Sequence, residues 1–223
     1  MNISENGDSI GLNAFGRHVE ISRVLGQYGP GGGPTVVAIA GLHGNEPAGV
    51  VAVKELIEKL SELKPQCRGR FVGLAGNLAA LQRGVRYIDA DLNRLWSPEF
   101  IQNWDKSNGI DTRQDCSEAR ELRDLYTRIQ HILRTESPPF YFIDLHTTSS
   151  LSPPFIPFDD TLSNREFVQR FPVPGILGIE EFVRGTLLSY LGRYRVVTLG
   201  YEAGQHDDPR SVDYHHAMLV LAM

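Results

Sequence analysis

Hydrophobic and polar positions follow two periods along this chain, and the switches between them mark the elements. Thr35 to Ala40 (TVVAIA) is an unbroken apolar run with the length of a buried strand. After Gly41 to Pro47 (GLHGNEP), apolar residues recur at Val50, Val53, Leu56, Ile57 and Leu60, one face of a helix with Pro47 in its first turn. Arg70 to Ala75 (RFVGLA) predicts a second strand, and a loop-rich stretch runs from Asn77 to about Asp115. From Asp115 a strongly amphipathic helix is expected, with Leu122, Leu125, Tyr126, Ile129, Ile132 and Leu133 on its apolar face and Pro138 and Pro139 closing it. Asp115 and Glu118 have capping-box spacing, with Asp in place of the usual Ser or Thr.

Phe140 to Leu145 (FYFIDL) predicts a third strand with His146 at its carboxyl end. Residues 150–190 are rich in proline and irregular, with room for one or two short helices. Arg195 to Tyr201 (RVVTLGY) predicts a fourth strand ending at Glu202. Asp207, Asp208 and Pro209 then open a last helix, with Asp208 a candidate cap; it stops in apolar residues, so it either packs against something or continues in the natural protein. His18 to Leu25 is compatible with an edge strand. Gly29 to Pro34 (GPGGGP) precedes a strand and lacks a Gly-Lys-Ser/Thr ending, so it reads as a flexible turn and not a phosphate loop. No internal repeat is present. Strands alternating with helices argue for an α/β layered domain, in which sites gather beyond the carboxyl ends of the strands.

Composition narrows the function classes. The chain has 223 residues, 41% hydrophobic, with 22 basic and 27 acidic residues for a net charge of −5. That length buries a core without staples. A mildly acidic chain is a poor general binder of phosphate backbones, so nucleic acid is not the expected partner. Cys67 and Cys116 cannot build a disulfide framework or a thiolate zinc knuckle. The start, MNISENGDSIG, has no apolar core of a signal peptide, and no apolar run reaches the roughly 18 residues of a membrane span. A cytoplasmic protein with no membrane partner is the default expectation; self-association stays open.

The expected strand ends carry the chemistry. His43 and Glu46 lie in a turn that Gly41 and Gly44 let bend and that Pro47 keeps out of helical geometry. Such a turn can aim an imidazole and a carboxylate at one point, and His146 is the best candidate for the third ligand a zinc site needs. The plainer alternative is a hydrogen-bonded turn histidine and a charge at a helix start. Asp144, two residues before His146 and on the same strand face, could orient that imidazole or be a buried acid paired elsewhere. Glu202, between Gly200 and Gly204, could take a proton from a metal-bound water, or be a solvated acid. In GVRYIDADLNRLW, Arg86, Asn93 and Arg94 could steady an oxyanion and grip a carboxylate; Asp89 and Asp91 also make ordinary surface salt bridges there plausible.

GLHGNEP, DLNR, DLHTT and YEAG, in that order over roughly residues 35–205, resemble the succinylglutamate desuccinylase and aspartoacylase family, within the zinc metallocarboxypeptidase fold group. The resemblance implies an α/β fold with a mixed central β-sheet flanked by helices on both faces. It implies His43, Glu46 and His146 as ligands of one zinc ion per chain, Glu202 as general base, and Arg86 as the arginine that polarises the scissile carbonyl. Asn93 and Arg94 match the pair that holds a substrate carboxylate. The implied activity is hydrolysis of the amide bond of a small N-acyl amino acid, releasing a carboxylate and a free amino acid. A carboxypeptidase-like peptidase and a non-catalytic metal-binding module remain as alternatives. The family's smaller C-terminal β domain has no counterpart in the 21 residues after Glu202, so 1–223 reads as a single catalytic domain with that part absent or truncated.

Overall fold

The computed structural model describes residues 9–102, 116–179 and 183–223. In chain order the elements are β1 (Ile10–Ala14), β2 (Arg17–Ile21), β3 (Val24–Tyr28), β4 (Thr35–Ala40), α1 (Ala48–Leu63), β5 (Arg70–Ala75) and α2 (Leu78–Arg83). A 3-10 turn at Leu92–Arg94 and α3 (Pro98–Gln102) lead to α4 (Ser117–Thr135) and β6 (Phe140–Thr148). Then follow β7 (Ile156–Phe158), α5 (Leu162–Val168), β8 (Gly175–Leu177), α6 (Leu187–Leu191), β9 (Val197–Gln205) and α7 (Arg210–Ala222).

The central sheet has the strand order β3-β5-β4-β6-β9. Only β3 runs antiparallel to its neighbour; the β5, β4, β6 and β9 pairings are parallel, so the sheet is mixed. Side chains alternate across its faces, as strand geometry requires. Val36, Ala38 and Ala40 of β4 pack with Val50, Val53 and Leu56 of α1 and with Met218 and Leu219 of α7. Val37 and Ile39 pack on the other face with Leu122, Leu125, Ile129 and Ile132 of α4 and Leu187 and Leu191 of α6. Helices therefore cover both faces. Those four α4 side chains are at most 1% exposed. At about 1.5–3 kcal/mol for each fully buried aliphatic side chain, they make α4 a firm platform. Among the described residues no helix is long and apolar enough to cross a membrane.

Several element bounds differ from the sequence reading. The expected edge strand over His18 to Leu25 is divided between β2 and β3, and β3 is the sheet edge. The break falls at Arg23, whose buried guanidinium turns inward to Ala75 O (2.7 Å), Gly76 O, Glu121 and Asp124 (2.7 Å). β6 and β9 run past their expected ends, so His146 and Glu202 lie inside strands and sit opposite each other in the register. The backbone of Glu202 is held on its other side by Phe155, with N–H···O bonds of 3.0 and 2.9 Å. The long amphipathic helix starts at Ser117; Asp115 lies outside the described residues. Glu118, the other half of the expected capping box, turns its carboxylate into the interior. Asp208 accepts from Arg210 N at 2.9 Å, but Pro209 occupies the cap position of α7.

Candidate active site

β4 ends at Ala40, and the chain turns through Gly41 at φ +73°, a conformation that costs glycine little. Gly44 lies against α2 so closely that an added Cβ would stand 2.0 Å from the Ala80 carbonyl carbon. This close approach folds the turn back on itself: Gly44 N bonds Arg86 O (3.2 Å) and Glu46 N bonds His43 O (3.2 Å). His43 and Glu46 consequently face the same point.

His43 Nδ1 lies 2.9 Å from Glu46 Oε1, and His146 Nδ1 lies 3.0 Å from Glu46 Oε2. Thr147 N donates to Glu46 Oε2 at 3.0 Å, which fixes the carboxylate from β6. The imidazole centroids are 5.1 Å apart. His43, Glu46 and His146 are 4%, 2% and 9% exposed. One ligand atom from each lies within 4.8 Å of the other two. Two imidazole nitrogens and one carboxylate oxygen form a donor set suited to zinc, whose tetrahedral ligand atoms, at about 2.0–2.2 Å from the ion, stand roughly 3.3–3.5 Å apart. The His–Glu contacts of 2.9 and 3.0 Å and the 4.8 Å limit bracket that spacing.

Each imidazole also meets an acid at its far nitrogen. His43 Nε2 is 3.1 Å from Asp91 Oδ1, and His146 Nε2 is 2.8 Å from Asp144 Oδ2. The second contact is an ion-pair approach and not an aligned hydrogen bond, since both Asp144 oxygens lack a well-directed donor. An acid behind an imidazole sets which ring nitrogen is free to ligate. The aspartate at 91 is thus more than a local arginine partner. It accepts from Arg86 Nη2 (3.1 Å) and from Asn93 N (2.9 Å) as well as meeting His43. Its neighbour Asp89 does something else, accepting from Ser117 N at the start of α4 (2.8 Å). Two aspartates two residues apart look alike in sequence, so no local signal separates these jobs.

The other expected site residues fall around this cluster. Glu202 is half-buried, and its buried Oε2 has no hydrogen-bond partner among the described residues. Arg86 reaches Glu46 Oε1 at 3.5 Å. Asn93 is buried and its Oδ1 accepts from Leu187 N (2.9 Å), leaving the amide nitrogen as the donor end. Arg94 is exposed and donates to Asn93 O (2.6 Å). Trp96 N bonds Gly185 O (3.0 Å), so the turn carrying Asn93 and Arg94 is tied to residues 185–187. His206 Nδ1 lies 2.7 Å from Thr147 Oγ1, next to the His146 strand.

Burial and charge compete throughout the cluster. Burial resists ionisation of Glu46, but bonds from His146 and His43 outweigh it and hold the carboxyl well below its ordinary value. Burial also opposes charging His146, yet Asp144 and Glu46 raise it well above the usual range. Asp91 and Glu46 likewise overcome burial and raise His43. Glu202 behaves oppositely: burial, with some help from Glu46 and Asp144 against the pull of His146, pushes its carboxyl up to about 7. Two neighbouring acids therefore have their proton affinities pushed apart, a pattern typical of acid–base sites.

Comparison with known proteins agrees with this architecture. The succinylglutamate desuccinylase/aspartoacylase catalytic domain matches residues 32–205. An N-acyl-aromatic-L-amino acid amidohydrolase (carboxylate-forming) of Xenopus tropicalis is 37% identical over 124 residues, covering 55% of this chain and 37% of that protein. A succinylglutamate desuccinylase of Pseudomonas syringae is 37% identical over 86 residues, covering 38% of this chain and 24% of that protein. The chain thus spans well under two thirds of either relative. A succinylglutamate desuccinylase/aspartoacylase structure from Rhodobacter sphaeroides superposes with a TM-score of 0.67 at 22% identity, covering 100% of this chain and 66% of that one. A metallo-carboxypeptidase from Burkholderia cenocepacia gives 0.65 at 17% identity, covering 96% and 63%. These structures share the fold. With 174 residues inside the matched range 32–205, this chain belongs to the succinylglutamate desuccinylase/aspartoacylase family.

Proposed function

We propose that this chain is the hydrolytic unit of a zinc-dependent deacylase that cleaves the amide bond of N-acyl amino acids. The observation that carries the reading is the meeting of His43, Glu46 and His146 at the carboxyl ends of β4 and β6, with Glu202 opposite His146 on the neighbouring strand and its buried Oε2 without a partner among the described residues. The relatives named above, an N-acyl amino acid amidohydrolase and a desuccinylase, share one substrate feature, an acylated amine beside an amino-acid carboxylate.

His43 and His146 through Nδ1, and Glu46 through its carboxylate, would hold the ion. Zinc bound there would polarise the scissile carbonyl and bring a bound water toward a pKa of about 7. Glu202 takes a proton from the attacking water and later delivers it to the leaving amine. A carboxyl whose affinity for protons lies near neutrality can do both. Arg86 meets the oxyanion as the carbonyl carbon becomes tetrahedral. Asn93 and Arg94 hold the carboxylate of the amino-acid half, Arg94 through its forked guanidinium. The carbon–nitrogen bond breaks, and a carboxylic acid and a free amino acid leave.

The test is a screen of metal-replete protein against N-acetyl and N-succinyl amino acids and short peptides, with zinc content measured in parallel. Hydrolysis of acylated amino acids is expected. Bound metal without hydrolysis would leave only a binding module, and cleavage confined to peptides would make the chain a peptidase.

A further inference from the structure

Glu118 is fully buried, yet it lies on α4, away from the ligand cluster. Among the described residues its two oxygens receive four donors: Ile88 N at 2.7 Å and Asn77 Nδ2 at 3.1 Å on Oε1, and Asp89 N at 3.0 Å and Ala90 N at 3.1 Å on Oε2. Three consecutive backbone N–H groups converging on one carboxylate require a tight bend, a concave nest for an anion. The next residue along the chain is Asp91, which meets His43 and Arg86.

Apolar packing holds only the far end of this loop, where Leu92 and Trp96 are buried. Residues 82–87 are all exposed, and Val85 and Tyr87 are 39% and 44% accessible. The segment is instead clamped at both ends by one face of α4. One turn on from Glu118, Glu121 accepts from Leu78 N (3.1 Å) and Ala79 N (3.0 Å) at the start of α2. Asn77 links the clamps, since its Oδ1 caps Ala80 N (3.0 Å) while its amide nitrogen donates to Glu118.

We propose that Glu118 is a positioning residue: its buried carboxylate sets the loop that presents Arg86, Asp91, Asn93 and Arg94 to the ligand cluster, and so governs substrate capture without touching substrate. The substrate half of this statement rests on the deacylase function proposed above; the loop half does not. Asp91 transmits the effect to His43, and Asn93 and Arg94 follow it in the same short turn.

Glu118→Gln keeps the volume but must turn an NH2 group toward one pair of donors, whichever way the amide lies. Glu118→Asp keeps both acceptor oxygens on a shorter stem. In metal-replete E118Q, amide hydrogen exchange at Ile88, Asp89 and Ala90 should speed at least tenfold while β4 and β6 stay protected. Zinc should pass to a chelator at least tenfold faster, as expected when support behind a ligand is lost. KM for an N-acyl amino acid should rise at least tenfold, and for its uncharged carboxamide analogue less than threefold, with E118D recovering part of each. Unchanged exchange at 88–90, faster exchange with unchanged zinc release and KM, or protection lost across β4 and β6 as well would each overturn the proposal. If the wild type hydrolyses no N-acyl amino acid, the deacylase reading falls, and the exchange and chelator arms still decide the role of Glu118.

Discussion

The residues facing the cluster come from two kinds of structure. His43, Glu46, His146 and Glu202 stand on or just beyond β4, β6 and β9, where parallel backbone ladders fix the register. Arg86, Asp91, Asn93 and Arg94 come from a loop that is exposed at its start and anchored by buried Leu92 further on, and whose bend over residues 88–90 is held by the Glu118 carboxylate reaching up from α4. The first group is positioned by the sheet and the turn that leaves it, the second by individual hydrogen bonds together with the buried Leu92 and Trp96. Damage to the sheet-borne group should therefore remove the chemistry, whereas damage to the loop-borne group should loosen binding and aim. Asp91 is the tighter of two joints between them, 3.1 Å from His43, while Arg86 reaches Glu46 at 3.5 Å.

The largest effect should come from the sheet side. His146→Ala should release the metal and lower turnover on the order of 10³-fold, corresponding to several kcal/mol of lost Lewis-acid stabilisation. Zinc content equal to wild type would remove His146 from the ligand set. Glu202→Gln should keep the metal and lower kcat by roughly 10²–10⁴-fold, the usual worth of a positioned proton-transfer group. Unchanged turnover would take Glu202 out of the mechanism.

Asp91→Asn probes the tighter joint. Loss of an acid behind a ligating imidazole weakens metal affinity by about 10–100-fold, so competitive chelation should show a fall in that range. An affinity equal to wild type would show that Asp91 does not couple the two groups. The smallest effect should come from the exposed Arg94 side chain. Arg94→Ala should weaken substrates bearing a carboxylate by about tenfold, near the lower end of the about 1.5–3 kcal/mol of a hydrogen bond to a charged group. An equal loss on an uncharged analogue would show that Arg94 does not recognise the carboxylate.

Much of the sheet-borne group could be read from local chemistry. The Gly41, Gly44 and Pro47 punctuation around His43 and Glu46 predicts a sharp turn, and a strand ending near His146 follows from FYFIDL. The α/β layering and helices on both faces follow from the same alternation of periods together with the family resemblance. The loop-borne group was less legible. Asp89 and Asp91 are indistinguishable by spacing, yet one bonds the start of α4 and the other meets His43. The local signal at Glu118, its capping-box spacing from Asp115, says nothing of the loop some 30 residues upstream that its carboxylate serves.

By itself the sequence determined the periods, the turns and the chemical types, because hydrophobic spacing, glycine freedom and proline geometry act over a few residues. Only the tertiary structure decided the partners. The approach of His146 to Glu46 spans 100 positions, and that of Glu118 to Ile88 spans 30. Such pairings are set by which strand lies beside which and by which buried acceptor finds donors once water is excluded, and neither is written in any single stretch of the chain.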